Sequence, residues 1–140
     1  VLLPAEVADE IKRGPADDPA RRLLESGWGT GVAPGAPPPK VLEWSLGAGE
    51  SAVIRIALER PGAWVLLDDA EARSCARTLG IPVLGTLGVV LRAKRQGLID
   101  SAGPIVRALL ARGLYLDPKW LESVMRSIAN EEWPIEPPRQ

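Results

Sequence analysis

The sequence contains no histidine. That excludes a Ser–His–Asp triad, an HExxH zinc site and proton shuttling through imidazole. Cysteine occurs once, as Cys75, so no intrachain disulfide and no thiolate metal cluster is expected. A lone cysteine fits a reducing, cytoplasmic setting. Cys75 sits with Ala72, Ala76 and Leu79 at helical spacing, which reads as a small buried hydrophobe rather than a nucleophile. No apolar run approaches the roughly 20 residues of a membrane-spanning helix, and no signal peptide is expected. Strong charge of either sign is also missing. Seventeen basic residues against eighteen acidic ones leave a net charge of −1, which neither favours nor excludes a polyanionic partner.

What is present is a globular composition. Hydrophobic residues make up 46% and charged residues 25% of 140 positions, enough for one domain with its own core. That domain is expected over residues 1–130, followed by a polar, proline-bearing tail over 131–140. Between Val90 and Arg126 the charge tilts locally basic. Arg92, Lys94, Arg95, Arg107, Arg112, Lys119 and Arg126 stand against Asp100, Asp117 and Glu122. A solvated set of helix faces explains that tilt as well as a nucleic-acid surface does.

The most telling stretch is Val65–Arg73. An apolar run reads as a buried strand over Ala63–Leu67, ends in Asp68 and Asp69, and gives way to a helix over Asp69–Leu79 closed by Gly80. Around it, Val1–Pro4 reads as a strand and Pro4 or Ala5 to Arg13 as a helix. Asp18-Pro19 opens a helix to about Ser26. Residues 27–40, dense in Gly and Pro, read as loop. Val41–Ser45 reads as a short strand and Ala48 to Arg60 as a helix. Pro82–Leu84 reads as a strand, and Thr86 as the cap of a helix to Gln96. A helix over Pro104–Ala111 is apolar nearly all round, which predicts burial. Leu114–Leu116 reads as a minor strand. Pro118–Ala129 carries Leu121, Val124, Met125 and Ile128 on one amphipathic face. Strands alternating with helices predict a three-layer α/β/α sandwich with a mostly parallel sheet.

Three acids stand out by position. Glu50 lies in the first turn of its helix and shares a face with Val53, Ile54 and Ala57 at +3, +4 and +7. A carboxylate there complements the helix dipole for about 0.3–1 kcal/mol, yet desolvating it without a partner costs several kcal/mol or more by rough estimate. Asp68 and Asp69 both stand at a strand-to-helix junction where one cap suffices. Glu10 borders the core face set by Val7 and Ile11. Carboxylates converging without histidine or cysteine make a hard, oxygen-only site for Mg²⁺ or Mn²⁺. Such a site polarises a phosphoryl oxygen and generates hydroxide from water, as metal-dependent phosphodiester cleavage requires. Arg73, at +4 from Asp69, reads as an intrahelical ion-pair partner or as a phosphate contact.

Four blocks, Leu3–Ile11, Leu46–Ile54, Leu67–Arg73 and Leu79–Ile99, make the chain resemble PIN-domain proteins of the prokaryotic VapC-like subgroup. The last block is the most specific. The resemblance implies a divalent-metal-dependent ribonuclease with catalytic Glu10, Glu50 and Asp68. These three would be metal ligands with Asp69 as an auxiliary. It also implies an RNA substrate, an antitoxin protein as partner in a toxin–antitoxin pair, and a homodimer. A catalytically degenerate PIN module that binds nucleic acid or a protein is the alternative. The family begins with a central strand ending in a metal-binding Asp. Val1-Leu2-Leu3 starts in mid-pattern, so that strand is expected ahead of Val1.

Gly47-Ala48-Gly49-Glu50-Ser51-Ala52 also fits the dinucleotide fingerprint G-x-G-x-x-A, with Asp68 or Asp69 ending a strand about 20 residues on. Against it, Glu43-Trp44-Ser45 is a poor buried strand, and Glu50 brings negative charge to the pyrophosphate position. A phospho-receiver reading of Leu66–Asp69 leaves too few residues for the remaining strands.

Overall fold

A computed structural model describes residues 1–133. Residues 134–140, most of the expected tail, lie outside the described residues. The chain is an α/β protein of two compact units, Val1–Leu84 and Gly85–Gln140.

The first unit opens with β1 (Leu2–Pro4), α1 (Ala5–Arg13) and α2 (Pro19–Glu25). Asp18 starts α2 as expected, its carboxylate accepting from the Ala20 N–H at 2.7 Å with Pro19 in the first turn. The segment read as loop contains β2 (Thr30–Val32), which pairs parallel with β1 in the register Leu2↔Thr30. The stretch read as a strand at Val41–Ser45 is instead one turn of helix, α3 (Pro39–Leu42). Two prolines set its entry, and Ser45 leaves it in the left-handed region at φ 51°. Val41 earns its hydrophobicity as a core residue with 0% exposure rather than as part of a ladder.

Helix α4 (Ala48–Leu58) organises this unit. Ile54 is fully buried, and Ile56 and Ala57 nearly so. After a tight turn at 59–64 come β3 (Val65–Leu66), α5 (Ala70–Thr78) and β4 (Val83–Leu84), with β3 and β4 parallel. Gly80, at φ +73°, lets the chain leave α5 in a conformation that L side chains rarely adopt. Cys75, at 0% exposure among Ala72, Ala76, Ile54 and Val65, is the packed hydrophobe expected, and burial pushes its thiol up. Val65 and Leu67 are buried but Leu66 between them is 56% exposed, so β3 buries one face only. The two sheets are not hydrogen-bonded to each other, yet α4 packs against both β1 and β3.

The second unit is helical: α6 (Thr86–Arg95), α7 (Gly103–Ala111) and α8 (Pro118–Val124), the last running into a π turn over Met125–Ala129. Gly85, not Thr86, is the residue before α6. The core comprises Leu87, Leu91, Val106, Leu121 and Met125. Helix α7 is not wrapped in core as its apolarity suggested. Val106 is buried, but Ile105 is 37% exposed. Leu114–Leu116 forms no strand. The amphipathic face of α8 also shifts. Leu121, Val124 and Met125 are buried as the spacing requires, but Ile128 is 43% exposed and Ala129 takes its place at 3%. A π turn adds a residue per turn, so the buried stripe slips by one position.

Candidate functional site

All four candidate carboxylates belong to the first unit, and its local architecture decides where each goes. Glu10 lies in the last turns of α1, which packs against α4. Its Oε1 accepts from the backbone N–H of Gly49 at 3.2 Å. A Cβ at position 49 would stand 2.8 Å from Glu10 Oε2, so the carboxylate in its present place would have to shift for any residue but glycine. Glu50 folds back over the preceding turn, and its Oε2 would collide with a Cβ at position 47. Two glycines two residues apart thus clear space for two carboxylates at the N-terminal turn of α4. That turn has no side-chain cap of its own.

Asp68 follows Leu67 at the C-terminal end of β3 and is exposed. Helix α4 packs against β3, and a short turn over 59–64 joins the two. Asp69 is the cap of α5: its Oδ1 accepts from the Ala72 N–H at 2.8 Å. The pair divides as the junction suggested, one aspartate on the helix end and the other ahead of it. Arg73 makes no ion pair with Asp69 among the described residues, so the intrahelical pair expected at that spacing is not formed.

Single carboxylates at helix starts are this chain's ordinary structural device. Asp18, Asp69 and Asp117 each cap one helix with one oxygen. The start of α4 has Glu10 on a backbone N–H and Glu50 in its first turn, and neither has a cationic partner among the described residues. The helix dipole offsets only part of that charge. The same crowding excludes the dinucleotide reading. The element leading into Gly47 is helix α3 rather than a strand, and Glu10 fills the space that Gly49 would give to a pyrophosphate.

A family model described as a PIN domain matches residues 1–130. The chain belongs to the PIN-domain family. Neither the curated proteins nor the solved structures yielded a match. A PIN domain is a nuclease-type fold that generally uses divalent metal, so the donor set can be asked whether it suits such an ion. Glu10 and Glu50 supply hard oxygen donors, and Mg²⁺ binds through one or two carboxylates while keeping several waters. The chemistry fits. Among the described residues no group of three or more acidic or cysteine side chains gathers closely enough to hold a metal ion. Two of the candidate acids, Glu10 at Gly49 and Glu50 at Gly47, lie at the first turn of α4.

Glu6, Gly35 and Arg55 escaped the sequence reading although they adjoin the same seam between α1 and α4. Arg55 is only 8% exposed. Its signal was a single charged residue inside the apolar run Ala52–Leu58. No helix of the described residues is long and apolar enough to cross a membrane.

Proposed function

We propose that this PIN domain is a divalent-metal-dependent ribonuclease acting in the cytoplasm, with Glu10, Glu50 and Asp68 as metal ligands and Asp69 in support. The observation that carries this reading is the pair of carboxylates brought from two helices to one helix end, each over a glycine and neither neutralised by a cation. Mg²⁺ or Mn²⁺ bound there would polarise a phosphoryl oxygen and lower the pKa of a bound water. The chain's own contribution is to bring two carboxylates to the first turn of α4, where the helix dipole favours negative charge. Asp68 would supply a further oxygen from the strand end. Asp69, tied to Ala72, fixes the start of α5 and so the exit of β3. We further propose an RNA substrate and, from the resemblance to the VapC-like subgroup, a toxin role with an antitoxin partner and a homodimeric assembly.

A non-catalytic PIN module that binds nucleic acid or a protein partner is the second reading. The lack of a three-carboxylate group among the described residues favours it. Manganese-dependent cleavage of RNA by wild type and Asp68→Asn separates the two. Loss of cleavage in Asp68→Asn supports the nuclease. Equal cleavage by both proteins sinks the site assignment, and no cleavage by wild type supports the binding module.

A further inference from the structure

Arginine is an expensive residue to bury, because an ionised side chain taken from water needs its donors matched. On α4, Arg55 is matched in part. Its Nη1 donates to Glu59 at 2.9 Å and its Nη2 to the Ala33 carbonyl at 3.1 Å, while the buried Nε has no partner. Its guanidinium lies so close to Gly35 that a Cβ there would stand 2.9 Å from Cζ and 3.2 Å from Nε. The same glycine is gripped from α1. Glu6 Oε1 accepts from the Gly35 N–H at 3.4 Å, and the buried Oε2 of Glu6 has no partner. One donor and one acceptor, of opposite charge, thus remain unmatched around a single peptide.

Glu6 and Glu10 are one helical turn apart and share a face of α1. Glu10 meets α4 at Gly49, and Glu6 meets the Gly35 segment that Arg55 of α4 holds. Two anchors one turn apart fix both the rotation and the axial position of a nine-residue helix. We propose that Glu6, Gly35 and Arg55 form a clamp that positions Glu10 for metal at the start of α4. This rests on the metal-site reading above. Neither Glu6 nor Arg55 touches metal or RNA; both act through the placement of α1. A leucine at 55 would fill the volume but could not hold the Ala33 carbonyl, and a lysine would keep the charge without the planar fork.

The test is Mn²⁺ titration calorimetry on the metal-free full chain, paired with urea unfolding without metal. Gly35→Ala is the sharpest variant, since it displaces the guanidinium without altering any carboxylate, and it sits in an exposed segment. Arg55→Leu and Glu6→Gln complete the set. Asp18→Ala serves as a control that loses a helix cap away from the seam. In all three clamp variants Mn²⁺ affinity should fall about 10- to 100-fold, the range seen when groups that orient metal ligands are removed. Arg55→Lys should fall less than Arg55→Leu. The control should lose stability and keep its affinity. Unchanged affinity in folded Gly35→Ala and Arg55→Leu overturns the clamp while leaving the metal site standing, provided that Glu10→Gln has lost binding. Wild type that binds no Mn²⁺, or Glu10→Gln that binds as well as wild type, overturns the metal site and the clamp together.

Discussion

Two helix starts, one in each unit, treat a carboxylate in opposite ways. In the second unit, Glu131 reaches back to the start of α7. Its oxygens accept from the Ser101 hydroxyl at 2.9 Å, the Ala102 N–H at 2.8 Å and the Gly103 N–H at 2.9 Å, with the Lys94 ammonium 3.8 Å away. In the first unit the start of α4 carries Glu10, with one backbone hydrogen bond, and Glu50, with neither a hydrogen bond nor an ion pair among the described residues. Both sites exploit the positive end of a helix. One is saturated with donors and neutralised, which is what a structural cap needs. The other holds surplus negative charge in a space cleared by Gly47 and Gly49, which is what a cation needs. The two helix ends differ in the number of donors around the carboxylate, not in its position.

That contrast breaks most readily at α4. Glu50→Gln should reduce manganese-dependent RNA cleavage at least about 100-fold, as loss of a charged ligand does. It should also change the metal-free unfolding free energy in urea by less than about 0.5 kcal/mol, because relief of repulsion offsets the lost dipole interaction. Saturating Mn²⁺ should raise the midpoint of wild type and not of the variant. A large loss of metal-free stability would mean that Glu50 is a cap after all.

Glu131→Ala should do the reverse. Two backbone N–H groups and a hydroxyl would lose their acceptor, at a cost of about 1–3 kcal/mol in urea unfolding, with Mn²⁺ affinity unchanged. Asp69→Ala should be milder, near 1 kcal/mol, and Asp69→Ser should restore most of it by capping α5 through its hydroxyl.

The smallest effect is the pH slope of the second unit. Burial alone would raise the Glu131 carboxyl. The N–H groups of Ala102 and Gly103, the Ser101 hydroxyl and the Lys94 ammonium outweigh it and hold the carboxyl below its usual 4.5. A carboxyl depressed in the fold contributes stability that is complete above the usual value. That contribution drains away as pH falls through the depressed one. Urea midpoints between pH 6 and 3 should therefore fall more steeply for wild type than for Glu131→Gln. Parallel curves would show that the hydrogen bonds do not discriminate between the two forms of the carboxyl.

Local chemistry was readable where it was sufficient. Asp18-Pro19, Asp69 and Gly80 mark helix ends through their own side chains or backbone freedom, and α1, α2, α4 and α5 lie within a residue or two of the expected bounds. Where pairing decides, the signal was absent. Thr30-Gly31-Val32 has little strand character and becomes β2 only because β1 lies beside it. Val41 looked like a strand residue because burial, not backbone conformation, had selected it. Ile128 and Ala129 exchanged places because a π turn cannot be seen in a pattern that assumes 3.6 residues per turn.

The sequence by itself determined the PIN-like α/β class and the all-oxygen donor chemistry, since a chain without histidine and with one buried cysteine has little else to offer a metal. It also marked Glu10, Glu50, Asp68 and Asp69 as the carboxylates to follow. Only the tertiary structure decided which were neutralised, because hydrogen bonds between residues 39 positions apart, such as Gly49 to Glu10, leave no periodicity behind. It alone gave Asp69 to the helix, set Glu10 against Gly49, and buried Arg55 against Gly35. Those outcomes depend on how close two backbones come, and closeness is a property of packing that composition and spacing do not encode.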